Sequence, residues 1–208
     1  VFAIGLKDAL SLVLIPSICS NLVVMRQVGQ FKSTILRFWP MLLATIPSLL
    51  LGLWVLSGTD GATAKIILGL VLLMWCCFSF LKPDLRLPSG LEDRLAPISG
   101  ICTGFLNGLT GSQVMPVVPF LMSLHLGRNV FIQAANCSFT ISSLIMMVGL
   151  GYLGLFTGSD VVISTLGVLC VFIGVKVGAA IRERLSEKTF QKMILSILTT
   201  ISIGLLMS

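Results

Sequence analysis

Hydrogen-bonding side chains lie at a break in one long apolar stretch of this chain, and they are the residues most suited to chemistry. Residues 99–120 read SGICTGFLNGLTGSQVMPVVPF, in which Asn107, Ser112 and Gln113 are polar. Such amides and hydroxyls can donate hydrogen bonds to oxyanions, as can backbone N–H groups freed at the ends of half-helices. The same side chains could instead cap the broken helix locally, and the sequence leaves both interpretations open.

Glycine and proline create the break. An interrupted apolar helix must satisfy its freed backbone groups, and at membrane depth this occurs only where the backbone is buried in protein or lines a cavity. Interrupted helices build the midplane substrate sites of secondary transporters. We therefore count Gly108, Gly111 and Pro116 among the candidate substrate-binding residues, although close helix packing is the commoner role of such glycines. The glycines at small-residue spacing are Gly100, Gly104, Gly108 and Gly111; the break follows at residues 111–113, and Pro116 and Pro119 come after it.

Two further polar positions are candidates for the same site. Asn136 lies early in the next apolar segment, beside the exit of the break, with Ser138 close by. Asn136 could face the site or hydrogen-bond to a neighbouring helix. Lys176 is the only basic residue well inside a span in the second half of the chain, where a charge is costly and an anion carrier would use it. Snorkelling of its amine to the membrane surface is the alternative.

The overall composition predicts an integral membrane protein. Of the 208 residues, 56% are hydrophobic and only 11% are charged, and the mean hydropathy is +1.05. A soluble domain carries about 25% charged residues. The chain begins at Val1 without a basic, cleavable leader, so we predict no signal peptide. Basic loops explain the net charge of +6, and we expect no nucleic-acid partner.

Hydropathy divides the chain into seven apolar segments. At roughly 20 residues per span, the length accommodates about six or seven transmembrane helices. We predict an all-α fold with about six transmembrane helices and one interrupted segment. The segments cover residues 2–24, 39–56, 64–81, 97–124, 130–156, 161–181 and 190–207.

The distribution of charge between the loops predicts how the interrupted segment is placed. If residues 97–124 crossed the membrane once, basic loops would lie on both sides, against the positive-inside rule. If the segment enters and leaves on one side, all the basic loops share one face. We therefore predict a re-entrant hairpin, with the basic loops in the cytoplasm. The basic loops are 25–38, 82–96, 125–129 and 182–189, and the acidic ones are 57–63 and 157–160.

This topology predicts an inverted repeat. Three segments before the hairpin and three after it would have opposite orientations. A weak internal similarity aligns Gly52 with Gly174. We predict one membrane domain with a first half-repeat at 1–96 and a second at 97–208, which opens with the hairpin at 97–124. By symmetry another hairpin should precede the first half, and we expect it to be missing from this chain.

The six cysteines raise one alternative, a membrane thiol–disulfide relay that uses intramembrane cysteines. Such a relay needs a symmetry-related cysteine pair, and in the alignment of the two halves Cys19 falls near Ile141 rather than Cys137. A purely structural subunit is a further alternative, which the polar break disfavours only weakly. We expect no enzyme, because His125 is the single histidine and neither paired carboxylates nor metal-ligand spacing accompanies it. We therefore expect no catalytic residue, metal or cofactor.

The glycine and proline pattern resembles that of the sulfite exporter TauE/SafE family of membrane permeases. Each half of those proteins opens with a glycine-rich, proline-containing segment. The stretch GVKVGAAIRERLSEKTF at residues 174–190 also resembles the family's exit before its last helix. The chain departs from the family at Ser112 and Gln113, where more glycines are usual, and it lacks the first-half motif. The residues that match the segment are Gly100, Gly104, Gly108, Gly111 and Pro116.

The resemblance implies a secondary transporter, which usually exports small sulfur-containing anions such as sulfite or sulfonates. It implies alternating access between two inverted halves, with a midplane site at the broken helix. The expected partners are a small anionic substrate and the lipid bilayer, and a homo-oligomer is left open. The expected location is the bacterial inner (plasma) membrane.

Overall fold

The structure, a computed structural model, describes residues 6–81, 86–88, 90–184, 196–197 and 199–204. These ranges are helical apart from short connections, and they contain no strand, which confirms the all-α prediction. Most of the last predicted apolar segment, 190–207, lies outside them. The helices are α1 (Leu6–Val28), α2 (Phe31–Gly58), α3 (Gly61–Leu81), α4 (Glu92–Thr110), α5 (Val117–Ser123), α6 (Arg128–Tyr152) and α7 (Gly158–Arg184).

Helix length and surface chemistry fit a bilayer. Among the described residues, 8–28 in α1, all of α2 and all of α6 are long and apolar enough to cross a membrane, and 62–78 and 158–174 are shorter apolar stretches. Large apolar side chains point outward, as at Trp54, which is 68% exposed, and Val148, which is 70% exposed. Because lipid is the favourable solvent for such side chains, their exposure needs no protein partner.

Two apolar clusters define the two ends of the helix bundle. One contains Phe38 near the start of α2, Ala96 near the start of α4 and Ala134 near the start of α6, together with α5. The other contains Leu10 near the start of α1 and Leu53 near the end of α2, with the ends of α4 and α6. We call the first the basic end and the second the acidic end, after the loops that they carry.

Helices α2 and α4 run side by side in the same direction, with their backbones in contact. A Cβ atom added at Gly100 would collide with the backbone of Met41, and one at Gly108 would collide with the backbone of Leu49. Across the same seam, the Thr45 hydroxyl donates to the Gly100 carbonyl oxygen at 3.3 Å. Such close approach is what small residues at four-residue spacing permit in membrane helices.

After the break the chain returns to the basic end. The N–H of Leu87, which precedes α4, donates to the carbonyl oxygen of Ser123 at the end of α5, at 3.0 Å. The entry to α4 and the exit from α5 are therefore neighbours, so α4, the break and α5 form a hairpin. This geometry agrees with the hairpin predicted from the loop charges. Its depth in a membrane and the division into two inverted repeats stay predictions.

A bidentate ion pair ties α2 to α4 at the basic end. Arg37 Nε and Nη2 donate to the two carboxylate oxygens of Glu92 at 2.7 and 2.8 Å. This hydrogen bonding lowers the pKa of Glu92, which is the first residue of α4 and precedes the apolar part of the hairpin. At the acidic end, hydrogen bonds from Thr63 lower the pKa of Asp60 in the loop before α3. The Arg37–Glu92 pair therefore links the start of α4 to α2 at one end of the glycine seam.

Candidate binding site at the helix break

The break begins where α4 ends in a left-handed glycine. Gly111 has φ +73°, and its N–H donates to the Asn107 carbonyl oxygen at 2.7 Å. The next N–H, of Ser112, donates to the Thr110 hydroxyl at 3.2 Å. The φ of Gly111 lies in the region that favours glycine, and a Cβ atom there would also collide with Leu10. Local capping therefore satisfies the first groups freed by the break.

A cavity of about 310 Å³ opens beside the break, between α1 and α6. We call it the break cavity. None of the described residues that line it is charged, and its polar groups are serine hydroxyls and the Gln113 amide. Its lining consists of Leu10, Val13, Leu14 and Ser17 from α1, residues 111–114 from the break, and Phe139, Ser143 and Met146 from α6.

The hydroxyls of the break cavity are arranged as donors. Gln113 Nε2 donates to Ser143 Oγ at 2.8 Å, and Asn21 Nδ2 donates to Ser17 Oγ at 3.4 Å. Each serine oxygen accepts a hydrogen bond from an amide, and a hydroxyl that accepts can also donate its own proton to a bound group. A cluster of neutral donors without a buried cation suits a small anion that has lost its water.

Asn107 is the most unusual polar residue near the break. It lies one turn before Gly111 and is fully buried, at 0% exposure. Neither its amide nitrogen nor its amide oxygen has a hydrogen-bond partner among the described residues. An orphaned buried group costs about 1–3 kcal/mol, so such a residue calls for an explanation. Asn107 is not among the residues that line the break cavity.

The other predicted substrate-binding residues lie in different surroundings. Gly108 contacts the backbone of α2, and Asn136 donates to the carbonyl oxygen of Ile132 in its own helix at 2.7 Å. Pro116 lines a different cavity, on the α5 side of the hairpin. Lys176 belongs to α7, but its side chain lies outside the described residues. The structure therefore brings together Gly111, Ser112 and Gln113 in the break cavity and leaves Gly108, Pro116 and Asn136 outside it.

Sequence reasoning missed Ser17 and Ser143, which complete the break cavity from α1 and α6. Serine in an apolar helix is common and usually bonds to its own backbone, so neither residue is conspicuous. The pair Ser142 and Ser143 within an otherwise apolar stretch was an available signal. No local signal pointed to Ser17, because its role depends on α1 packing beside the hairpin.

The cysteines give no support to the relay alternative. All six are free thiols, and the buried Cys137 has Met25 Sδ at 3.3 Å from its sulfur rather than another cysteine. Within the described ranges, no three His, Cys, Asp or Glu side chains are grouped in a way that could hold a metal ion.

Comparison with known proteins identifies a family. A family model described as "Sulfite exporter TauE/SafE" matches residues 1–205. No curated protein and no solved structure matches the chain.

Proposed function

The chain belongs to the sulfite exporter TauE/SafE family, which makes it an integral membrane protein and a transporter of sulfur anions such as sulfite, and from that premise we propose that it exports small sulfur-containing anions through the break cavity. The proposed mechanism is alternating access, in which the cavity is opened in turn to each side of the membrane. The proposed location is the bacterial inner membrane, with the basic loops in the cytoplasm. Members of this family are transporters rather than enzymes.

The observation that carries the proposal is the donor set of the break cavity. Ser17 and Ser143 each accept a hydrogen bond from an amide and each keep a hydroxyl proton that can be donated, and Ser112 adds a third hydroxyl. Sulfite and sulfonates present several oxygen acceptors within a small volume, which is what converging neutral donors can satisfy. At about 310 Å³ the cavity is at the small end of ligand pockets, which span roughly 300–1,000 Å³.

None of the described residues that line the cavity is charged, which favours a site that releases its anion over one that retains it. A buried cation would hold an anion strongly and slow its release. Neutral donors bind an anion through hydrogen bonds of moderate strength, so the anion can leave on the other side. The basic loops would supply the long-range attraction for an anion that approaches from the cytoplasm.

The packing around the hairpin supports a division into a fixed part and a moving part. The hairpin is joined to α2 by backbone contacts and by the Arg37–Glu92 ion pair. The break cavity lies on the opposite side, where α1 and α6 face it. We assign the fixed part to α2 and the hairpin, and the moving part to α1 and α7, of which α1 lines the break cavity.

The test is exchange in liposomes that contain the full-length protein. Radiolabelled sulfite should enter by counterflow, saturate with concentration, and be competed by sulfonates and thiosulfate. Ser143→Ala should lower exchange about tenfold because one donor is lost. Ser33→Ala, at an exposed position near the start of α2, is the matched control and should exchange normally.

Two results would overturn the proposal. One is folded protein that exchanges no sulfur anion. The other is equal exchange by the Ser143→Ala and Ser33→Ala variants, which would move the site away from the break cavity.

A further inference from the structure

A second cavity, of about 330 Å³, lies between the two arms of the hairpin at the basic end. We call it the outer cavity. Arg86 is its one charged residue among the described residues that line it, and Ser99 of α4 and Pro116 of the break also contribute. The two cavities share the break as a wall, since residues 111–114 line one and Pro116 lines the other. Residues of the break therefore line both cavities.

Ser99 gives the outer cavity an unsatisfied polar group. Its side chain is 7% exposed, and its hydroxyl has no hydrogen-bond partner among the described residues. Arg86, which is exposed, adds a positive charge to the same lining. The guanidinium of Arg86 and the buried hydroxyl of Ser99, beside apolar walls such as Leu95 and Phe120, favour an anion over a cation in this cavity.

The unsatisfied groups continue from Ser99 towards the break. Thr103 and Asn107 follow at four-residue spacing, so the three side chains lie along one face of α4. All three are buried, and each has a side-chain polar atom without a partner in the described part of the chain. Three consecutive orphaned groups on one face are unexpected, because nearly all buried polar groups are paired. Together they form a row of hydrogen-bonding positions from the outer cavity to one turn before Gly111.

We propose that the outer cavity is an anion-binding vestibule on the basic side, where Arg86 and Ser99 hold a small sulfur oxyanion before it passes along Thr103 and Asn107 to the break. This rests on the proposed function for the identity of the anion. The vestibule collects the anion through the charge of Arg86, and the row of neutral groups replaces its lost water in steps. Asn107 is then satisfied by the passing anion, which explains its lack of a protein partner.

Cys102 provides a reporter for the vestibule, because it is exposed and lines the same cavity. The experiment uses full-length protein in neutral phosphatidylcholine liposomes, with the other cysteines replaced by serine. The rate of alkylation of Cys102 by iodoacetamide is measured with and without methanesulfonate, a sulfur oxyanion that does not attack the reagent. We expect methanesulfonate to slow alkylation at least threefold. Arg86→Gln should raise the protecting concentration about tenfold.

Arg94→Gln is the matched control, because Arg94 is an exposed arginine in the first turn of α4 that does not line the cavity. It should leave the protection unchanged. Equal weakening by Arg94→Gln would reduce the effect to general surface charge and overturn the vestibule. Alkylation of Cys102 could instead be slowed by anionic phosphatidylglycerol liposomes and not by methanesulfonate in neutral liposomes. That result would assign Arg86 to a lipid headgroup and would also overturn the vestibule.

The alkylation readout separates the vestibule from the transport proposal. If sulfite exchange occurs but methanesulfonate never protects Cys102, the vestibule is wrong and the proposed function stands. If protection occurs in folded protein that exchanges no sulfur anion, the vestibule stands as a binding site and the proposed function is wrong.

The row of groups on α4 has a test of its own. Thr103→Val removes the hydroxyl but keeps the shape of the side chain, so it should lower the maximal sulfite exchange rate about tenfold while leaving the protection of Cys102 intact. Thr103→Ser restores the hydroxyl and should recover most of the rate. If the valine and serine variants exchange at the same rate, the row plays no part in the passage of the anion.

Discussion

The two sides of the hairpin differ in how closely the helices meet. On the α2 side, glycines bring backbone against backbone: a Cβ atom at Gly52 would collide with the Phe105 carbonyl oxygen. On the far side of α1, helix α7 meets α1 through side chains rather than backbone against backbone. A Cβ atom at Gly167 would lie 3.5 Å from Pro16 Cγ, and one at Gly174 would have no atom within 4 Å. A cavity of about 460 Å³ separates α1 from α7 there.

This difference indicates which contacts can change during transport. Lipid is as apolar as the helices, so membrane helices are held together by close packing and hydrogen bonds rather than by the hydrophobic effect. The α2–α4 seam has both, and shifting it would lose backbone contacts along most of its length. Between α1 and α7 the Ser164 hydroxyl donates to the Leu12 carbonyl oxygen at 2.8 Å, and the contact is made through side chains. Because side chains can change rotamer, this interface can shift at a smaller cost than a backbone seam.

Gly52→Ala should destabilise the protein at the seam between α2 and α4. The added methyl group would meet the Phe105 carbonyl, and neither backbone can move aside without separating the two helices. Overpacking of this kind costs about 3 kcal/mol, which lowers the unfolding midpoint by roughly 6 °C or more for a chain of this size. Thermal unfolding in detergent, followed by tryptophan fluorescence, measures the shift. A midpoint within a degree of the wild type would show that the seam is looser than its geometry suggests.

Gln113→Glu tests the other side of the hairpin, where the break cavity lies. The substitution preserves the shape of the side chain but places a negative charge beside the proposed anion site. Because a like charge repels the substrate, sulfite exchange should fall about 100-fold, equivalent to about 2.7 kcal/mol. Gln27→Glu, at an exposed position near the end of α1, adds the same charge outside the cavity and should exchange almost normally. If the two variants exchange equally, net charge rather than the cavity controls the rate.

Much of the fold was predictable because it depends on hydropathy, composition and charge summed over many residues. Hydropathy located the apolar helices, and the glycine and proline cluster located the break near Gly111. The return of the chain to the basic end was predictable from loop charge, and the hydrogen bond between Leu87 and Ser123 agrees with it. These features depend on composition and charge, which can be counted from the sequence.

The details of the site were less predictable because the break has irregular backbone. Side chains on a regular helix can be assigned to a face from their spacing, as Ser99, Thr103 and Asn107 can. No such periodicity applies to residues 111–116, so the sequence could not place Gln113 in one cavity and Pro116 in the other. It also could not show that Asn136 bonds within its own helix.

Ser164→Ala should weaken the contact between α1 and α7. The Ser164 hydroxyl is buried, at 1% exposure, and its loss leaves the Leu12 carbonyl without this donor. The expected cost is about 1 kcal/mol of unfolding free energy, measured by denaturant titration in detergent. Thr165→Ala is the control, because Thr165 is exposed and its hydroxyl bonds to Val161 in its own helix. If both variants lose the same stability, the bond between α1 and α7 contributes nothing of its own.

Glu92→Gln should weaken the contact between α2 and α4 only slightly. It should also change how the free energy of unfolding depends on pH. The pKa of Glu92 is lowered in the folded protein, so its pair with Arg37 stabilises the fold above the unfolded pKa of about 4.3 and is lost as pH falls through the folded value. The side chains are 46% and 27% exposed, so solvent screening limits the contribution to about 0.5 kcal/mol. Unfolding at pH 7 should separate wild type from variant, and at pH 3 the difference should shrink. A difference that is constant with pH would exclude the ion pair as its cause.

Gly174→Ala should have the smallest effect, and its sign should be opposite to that of Gly52→Ala. The two glycines align between the halves of the sequence, but a methyl group at Gly174 meets no atom within 4 Å. Alanine favours helix over glycine, so stability should rise by about 0.5 kcal/mol, measured in the same thermal unfolding assay. The same chemical change then stabilises one position and destabilises its counterpart, which isolates contact with a neighbouring backbone as the cause. A loss of stability at Gly174 comparable to that at Gly52 would mean that α7 is as tightly covered in the folded protein as α2.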